Sequence, residues 1–401
     1  MRQRRYVLLL LLLLAVAIRV EAAGEFSGFA AVDLRGFAHS PSFPEPPDHP
    51  IVASALVQPE YRYTWNEERD RLTAVLFGRY EYEDSRRRHV DVRELHWLHG
   101  GSTWDLLFGV SKVFWGVAES RHLVDIINQT DLVEDTDGED KLGQPMVKLS
   151  LLQDWGTLTF FAMPRFRERT FPGREGRLRS ALPVDTSQAD FESSLDVWHP
   201  DFAVRWIHTL GVWDIGLSHF SGTSREPRLR LGLDDDGRPV LVPQYDQIHQ
   251  TGLDLQVTTG GLLGKLEVIT REGHGRRFAA LVAGFEYTFF GVRGTAMDLG
   301  VLIEYLYDGR SDDAPGTPFE NDLFAGTRLA LNDTQDTSVL AGVIVDLDTQ
   351  ATFVNVEASR RFGDRWVVEL EARAFTNVPA SDVIFSVRRD DYVQLRVAWY
   401  F

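Results

Sequence analysis

From Tyr392 to Phe401 the chain alternates without a break. Tyr392, Gln394, Arg396, Ala398 and Tyr400 fall on one face of an extended segment; Val393, Leu395, Val397, Trp399 and Phe401 fall on the other. A strand whose side chains repeat every second residue, with one face wholly apolar, must cover that face with a core or with lipid. The pattern recurs upstream. Trp366, Val368, Leu370, Ala372 and Ala374 interleave with Arg365, Glu369, Glu371 and Arg373, while Val57, Tyr61, Tyr63 and Trp65 interleave with Gln58, Glu60, Arg62 and Thr64. Leu253, Leu255 and Val257 alternate in the same way with Asp254, Gln256 and Thr258. A Lys or Arg facing lipid near the bilayer midplane costs about 2 to 4 kcal/mol, so strands that carry several charges turn that face inward.

The other end of the chain says where such strands belong. Arg2, Arg4 and Arg5 precede an apolar run from Tyr6 to Ile18, and Val20-Glu21-Ala22 supplies small residues at the positions a signal peptidase reads. Residues 1–22 are expected to be a cleaved export signal, with one domain over 23–401. The run is short for a membrane-spanning helix, and no other stretch approaches the roughly 18 to 20 apolar residues one needs. An exported chain without such helices is either a soluble protein or a closed barrel, because only helices and closed barrels satisfy every backbone polar group in lipid. The chain has no Cys, so disulfides play no part. Its formal charge of −17 becomes −20 without Arg2, Arg4, Arg5, Arg19 and Glu21, which argues against nucleic acid as a partner. No cofactor and no metal centre are expected. Asp135, Asp137 and Asp140 around Gly138 resemble a calcium loop only faintly, lacking its spacing and terminal Glu, and read as a solvated turn.

Alternating segments separated by turn residues run over 25–37, 53–66, 70–83, 88–99, 103–115, 145–153, 156–168, 199–210, 211–222, 246–258, 261–272, 277–290, 295–308, 319–332, 335–348, 350–362, 364–376 and 389–401. Every second connection is short and most of these carry Gly, Asn or Asp, as at Gly260-Gly261 and Gly363-Asp364, whereas most of the others are long. The sequence therefore predicts an all-β fold: a transmembrane antiparallel up-and-down barrel of about 18 strands (16 to 18), with long extracellular loops and short periplasmic turns. A barrel of that size is wide enough for an aqueous channel.

On this register the inward set contains Arg62, Arg79, Glu81, Arg165, Arg205, Asp254, Lys265, Glu267, Arg271, Glu286, Glu304, Arg328, Glu357, Arg361, Glu369, Glu371, Arg373 and Arg396. Facing ladders of both signs select ions and polar solutes by field and by size. Between strands five and six, residues 116–144 break the alternation. Ala118, His122, Leu123, Ile126 and Ile127 suit one face of a short helix, which would fold into the barrel mouth and narrow it. Trp115, Gly116, Asp125, Asn128 and Asp131 are its candidate constriction residues.

Two resemblances attach to these features. The last strand, ending at Phe401, resembles the closing strand of bacterial outer-membrane β-barrels, which implies recognition by the barrel-assembly machinery and contact with outer-membrane lipid and lipopolysaccharide. Over 93–131 the chain resembles a group of uncharacterised, porin-like outer-membrane proteins: a strand ending in aromatic-Trp-Gly, then a short helix and a Val-Asp-aliphatic-aliphatic-Asn element. Trp115, Gly116, Val124, Asp125, Ile127, Asn128 and Asp131 carry it, and Gln129 stands where several members have Pro. This likeness implies a Gram-negative outer-membrane barrel and passage of a substrate, in concert with an inner-membrane exporter, but not the substrate's identity. The charged lumen face adds the expectation of a porin-like channel for small polar or charged solutes. A non-conducting or gated barrel serving an export or envelope complex is the first alternative. The third reading, a hydrolase at the barrel rim, has only His219 with Ser218 and Ser221 nearby and no accompanying acid.

Overall fold

The computed structural model describes residues 24–401, so the expected signal lies outside the described residues. Twenty-one strands follow in chain order: β1 (Glu25–Phe37), β2 (Ile51–Trp65), β3 (Asp70–Glu81), β4 (His89–Gly100), β5 (Trp104–Ser111), β6 (Gln144–Gln153), β7 (Gly156–Met163), β8 (Asp190–Phe191), β9 (Asp201–Leu210), β10 (Trp213–Thr223), β11 (Arg228–Leu233), β12 (Pro239–Tyr245), β13 (Gln247–Thr259), β14 (Leu262–Gly273), β15 (Gly275–Phe289), β16 (Asp298–Asp308), β17 (Asn321–Ala330), β18 (Ser338–Asp346), β19 (Thr352–Phe362), β20 (Trp366–Thr376) and β21 (Tyr392–Tyr400). Eighteen form one antiparallel sheet in which each pairs with its chain neighbours. Pairing of β1 with β21, from Phe29 opposite Tyr400 to Phe37 opposite Tyr392, closes it into the barrel the sequence predicts. The remaining three, β8, β11 and β12, make a small sheet at the long-loop end, within segments expected to be irregular.

Two faces follow from the register. Val32, Leu34, Leu370, Val393, Leu395 and Val397 point outward and are exposed, as a lipid-facing surface must be. At the short-turn end Trp65, Trp104, Trp155, Trp213, Phe362 and Trp366 are exposed too, forming an aromatic girdle. The turns there reverse within a few residues, which Gly260 and Gly363 permit by adopting φ of 58° and 60°. Among the described residues no helix is long and apolar enough to cross a membrane, and the strands do the crossing.

Two local departures re-aim the chain. In β4, Val75 of β3 faces Glu94 while Leu76 faces Val92, so Arg93 is an extra residue in the ladder and turns into the lumen, buried. In β7 the expected strand runs to 168, yet it stops at Met163, because Pro164 lacks the N–H a continuing ladder needs. Arg165 therefore leaves the wall; it is exposed, with its guanidinium 5.2 Å from the Trp198 ring.

After Ser111 the chain dives into the barrel and returns to the wall at Gln144. Gly143 marks the return: a Cβ there would stand 2.1 Å from the Arg93 carbonyl oxygen. Trp115, Ala118, Leu123, Val124, Ile126 and Ile127 from this inward segment pack against Met146, Phe161, Phe220, Ile248, Ile269, Leu302 and Phe324 of the wall. One side of the interior is thus a dry core; burying a side chain such as Val124 or Ile127 is worth about 1.5 to 3 kcal/mol.

Candidate functional site

The inward segment has no helix, contrary to expectation. Its backbone N–H groups turn to carboxylates on the wall instead of to carbonyls one helical turn back. Glu267 accepts from Val117 N (2.7 Å), Ala118 N (3.0 Å) and Val124 N (3.2 Å). Glu304 accepts from Glu119 N and Ser120 N, both at 2.8 Å, and from Ser120 Oγ at 2.6 Å. Both glutamates are buried inward residues of β14 and β16. Ionised acceptors bind amide donors about twice as strongly as neutral ones, and the segment follows them. Gly116 lets the chain approach: at φ 140° a Cβ there would lie 2.9 Å from Glu267 Oε1.

The other candidate loop residues tie its base. Asn128 Oδ1 accepts from Val113 N at 2.8 Å, while its Nδ2 donates to the carbonyls of Ser111 (2.9 Å) and Leu142 (2.8 Å). Asp125 accepts from Trp115 N at 3.3 Å and lies 3.1 Å from Lys141 Nζ; burial pushes its carboxyl up, against the pull of that ammonium. Trp115 stacks edge-on to Phe161 at 5.5 Å under the Arg205 guanidinium, 4.9 Å from the ring. Arg205 itself makes two 2.8 Å bonds to Asp254. His122 Nε2 stands 3.1 Å from Glu139, with Nδ1 3.9 Å from Glu267. Burial alone would lower the imidazole's pKa, but these two carboxylates outweigh it and hold it at about 10.

The acidic stretch 134–140, read as a solvated turn, is docked inside the barrel against an arginine ladder. Arg79 reaches Glu134 at 2.7 Å and Asp33 at 2.8 Å. Arg373 reaches Asp135 at 2.7 Å, Asp137 at 2.8 Å and Glu371 at 2.7 Å. Arg93 pairs with Asp131 at 2.8 Å, Arg87 with Glu81 at 2.6 Å, and Arg396 with Asp33 at 2.8 Å. Burial would raise the Glu134 carboxyl, yet Arg79 and Arg87 hold it below the usual range. Asp140 lies toward the lumen water, but enclosure and the charges of Glu134, Asp137 and Asp135 push it up to about 7.

The remaining inward residues divide in two. Lys265 and Arg328 grip Glu119 of the loop at 3.5 and 2.6 Å and also face Glu286, at 4.0 and 3.5 Å, while Arg271 binds Glu226 at 2.7 Å. By contrast Arg361 is exposed; the side chain of Glu369 is 40% exposed and that of Arg396 28%. Glu357 accepts from Asn355 at 2.7 Å, and Arg62 pairs with Glu60 at 2.5 Å toward the short-turn end. Sequence reading passed over Asp33, Arg35 and Arg93. The first two alternate with Val32 and Leu34, so the signal was there, whereas Arg93 is hidden by its bulge. His219 and Ser221 point outward, with His219 Nδ1 2.9 Å from Thr251 Oγ1, and both lie on the lipid side of the wall.

The closed wall, apolar exterior, aromatic girdle and inward loop define an outer-membrane β-barrel of porin-like architecture. No family model and no curated protein matches the chain. Among solved structures it is similar to a mutant Rh. blastica porin, at 10% identity and TM-score 0.46 over 94% of this chain and 100% of that one. It is also similar to Pseudomonas putida OprB, at 10% identity and TM-score 0.46 over 94% of each chain. A third is OmpT, an outer membrane protein of Vibrio cholerae solved in a trimer form, at 11% identity and TM-score 0.44 over 95% and 100%.

Proposed function

We propose that the protein is a diffusion channel of the Gram-negative outer membrane for small polar or charged solutes, reaching the membrane by a cleaved signal over 1–22. The observation that carries this reading is the division of the interior by the inward loop. One side is packed. The other keeps a run of water-exposed charges on three successive strands: Arg361 on β19, Glu369 on β20 and Arg396 on β21. Across from them the loop exposes Glu139 and Asp140. A wet path walled by both signs of charge passes polar solutes and rejects apolar ones.

The density of ties on the loop favours a second reading, a barrel whose lumen stays shut until a partner moves the loop. Single-channel recording in planar bilayers under a salt gradient separates the two. Stepwise conductance with a stable ion preference supports the channel; a folded barrel that never conducts refutes it and leaves the gated reading.

A further inference from the structure

At the tip of the inward loop, three lone-pair donors converge. His89 opens β4, and Asp131 and Glu134 belong to the loop; one ligand atom from each lies within 4.8 Å of the other two. His89 Nε2 and Glu134 Oε1 are 3.4 Å apart, which is the spacing of two donors about 2.1 Å from a tetrahedral ion. Glu134 is 6% exposed and Asp131 1%. Neither Glu134 Oε1 nor Asp131 Oδ2 makes a hydrogen bond; the latter's neighbour is the Arg93 guanidinium at 2.8 Å. The second oxygen of Glu134 is taken by Arg79.

The imidazole is oriented for a ligand. Its Nδ1 lies 3.1 Å from the Arg86 carbonyl oxygen, and since a carbonyl only accepts, Nδ1 carries the proton. In that neutral tautomer Nε2 carries the lone pair, with Glu134 Oε1 3.4 Å away and a carboxylate oxygen of Asp131 within 4.8 Å. A backbone carbonyl that fixes the tautomer from behind is the usual support of a metal-ligating histidine. Arg93 and Arg79 offset the two carboxylate charges from the far side, and Glu134 Oε1 keeps a lone pair facing the imidazole.

We infer that His89, Asp131 and Glu134 bind a divalent transition-metal ion that clips the tip of the lumen loop to the barrel wall. One imidazole nitrogen with two carboxylate oxygens suits zinc or a similar ion, whereas calcium and magnesium take all-oxygen shells. Three protein ligands leave a coordination position for water, and His89, a quarter exposed, gives the ion a way in from solvent.

The test is calorimetric titration of zinc chloride into the purified, tag-free barrel, stripped with chelator, at neutral pH. One equivalent should bind, with affinity at least about tenfold weaker in His89→Gln and unchanged in His219→Gln. X-ray absorption of the zinc-loaded wild type gives a second readout that needs no variant: a single imidazole among oxygen donors. No stoichiometric binding by the wild type, binding undiminished in a folded His89→Gln barrel, or a shell with two imidazoles would each overturn the assignment.

Discussion

Glu267→Gln tests whether wall carboxylates hold the lumen loop. The glutamate receives three backbone donors, from Val117, Ala118 and Val124, and is fully buried. In the amide, the oxygen still serves the first two, but without the charge each bond loses about 1 kcal/mol. The nitrogen meets Val124 N–H donor to donor and strands it, at about 1 to 3 kcal/mol. The sum is about 3 to 5 kcal/mol, and since about 1.4 kcal/mol is tenfold, the undocked population rises roughly a hundred- to a few thousandfold. Hydrogen exchange of the amides over 117–124 reads this directly, and protection there should fall while the wall strands stay protected. In bilayers the same variant should flicker between conductance levels. Glu369→Gln, a lumen carboxylate with no amide to hold, serves as control. Unchanged exchange over 117–124 in a correctly folded Glu267→Gln barrel would show that the apolar packing of Trp115, Val124 and Ile127 holds the loop without the carboxylates.

Arg361→Gln should shift ion preference in bilayers toward cations without loosening the loop, since its side chain faces water; an unchanged reversal potential would remove it from the pathway. Arg373→Gln should do more, because it removes the close cation of Asp135, Asp137 and Glu371 and leaves only Arg35, 3.9 Å from Asp135, a loss of about 3 to 5 kcal/mol for a buried network, and raised exchange over 131–141 is its signature. Loop docking should weaken with rising pH. His122, held at about 10 against an ordinary 6.5, contributes fully below pH about 6.5 and loses that contribution toward about 10. Asp140, raised from 3.8 to about 7, favours the docked state when protonated and loses its part between those values. Amide exchange of the loop, corrected for intrinsic rate, checks this: His122→Gln should flatten the alkaline leg, and tighter docking at high pH would refute the scheme. Phe401→Ala should slow folding into lipid, because the ring lies 5.5 Å from Phe26 and 5.3 Å from Trp399 where β1 meets β21; an unchanged rate of appearance of heat-resistant barrel would refute it.

How much of this was legible in the chain depends on the range over which each feature is decided. Strand alternation is a property of neighbouring residues, so the eighteen wall strands and their facing could be read from Val393, Leu395 and Val397 against Gln394 and Arg396. Arg165 was misplaced because the alternation runs on past Pro164, although the ladder cannot. In the inward segment, Ala118, Leu123, Ile126 and Ile127 were recognisable as residues to be buried, and all four are. Their conformation was not readable, because the groups that decide it lie 150 residues away at Glu267 and 185 away at Glu304. The charges share this limit. Sequence puts Glu267, Arg373 and Arg361 on the same inward face, but only the fold separates charges spent on fixing the loop from charges left to meet solutes. Selectivity should therefore answer to Arg361, Glu369 and Arg396, and gating to Glu267, Glu304 and Arg373. A variant in the second set that changes ion preference should do so only by moving the loop.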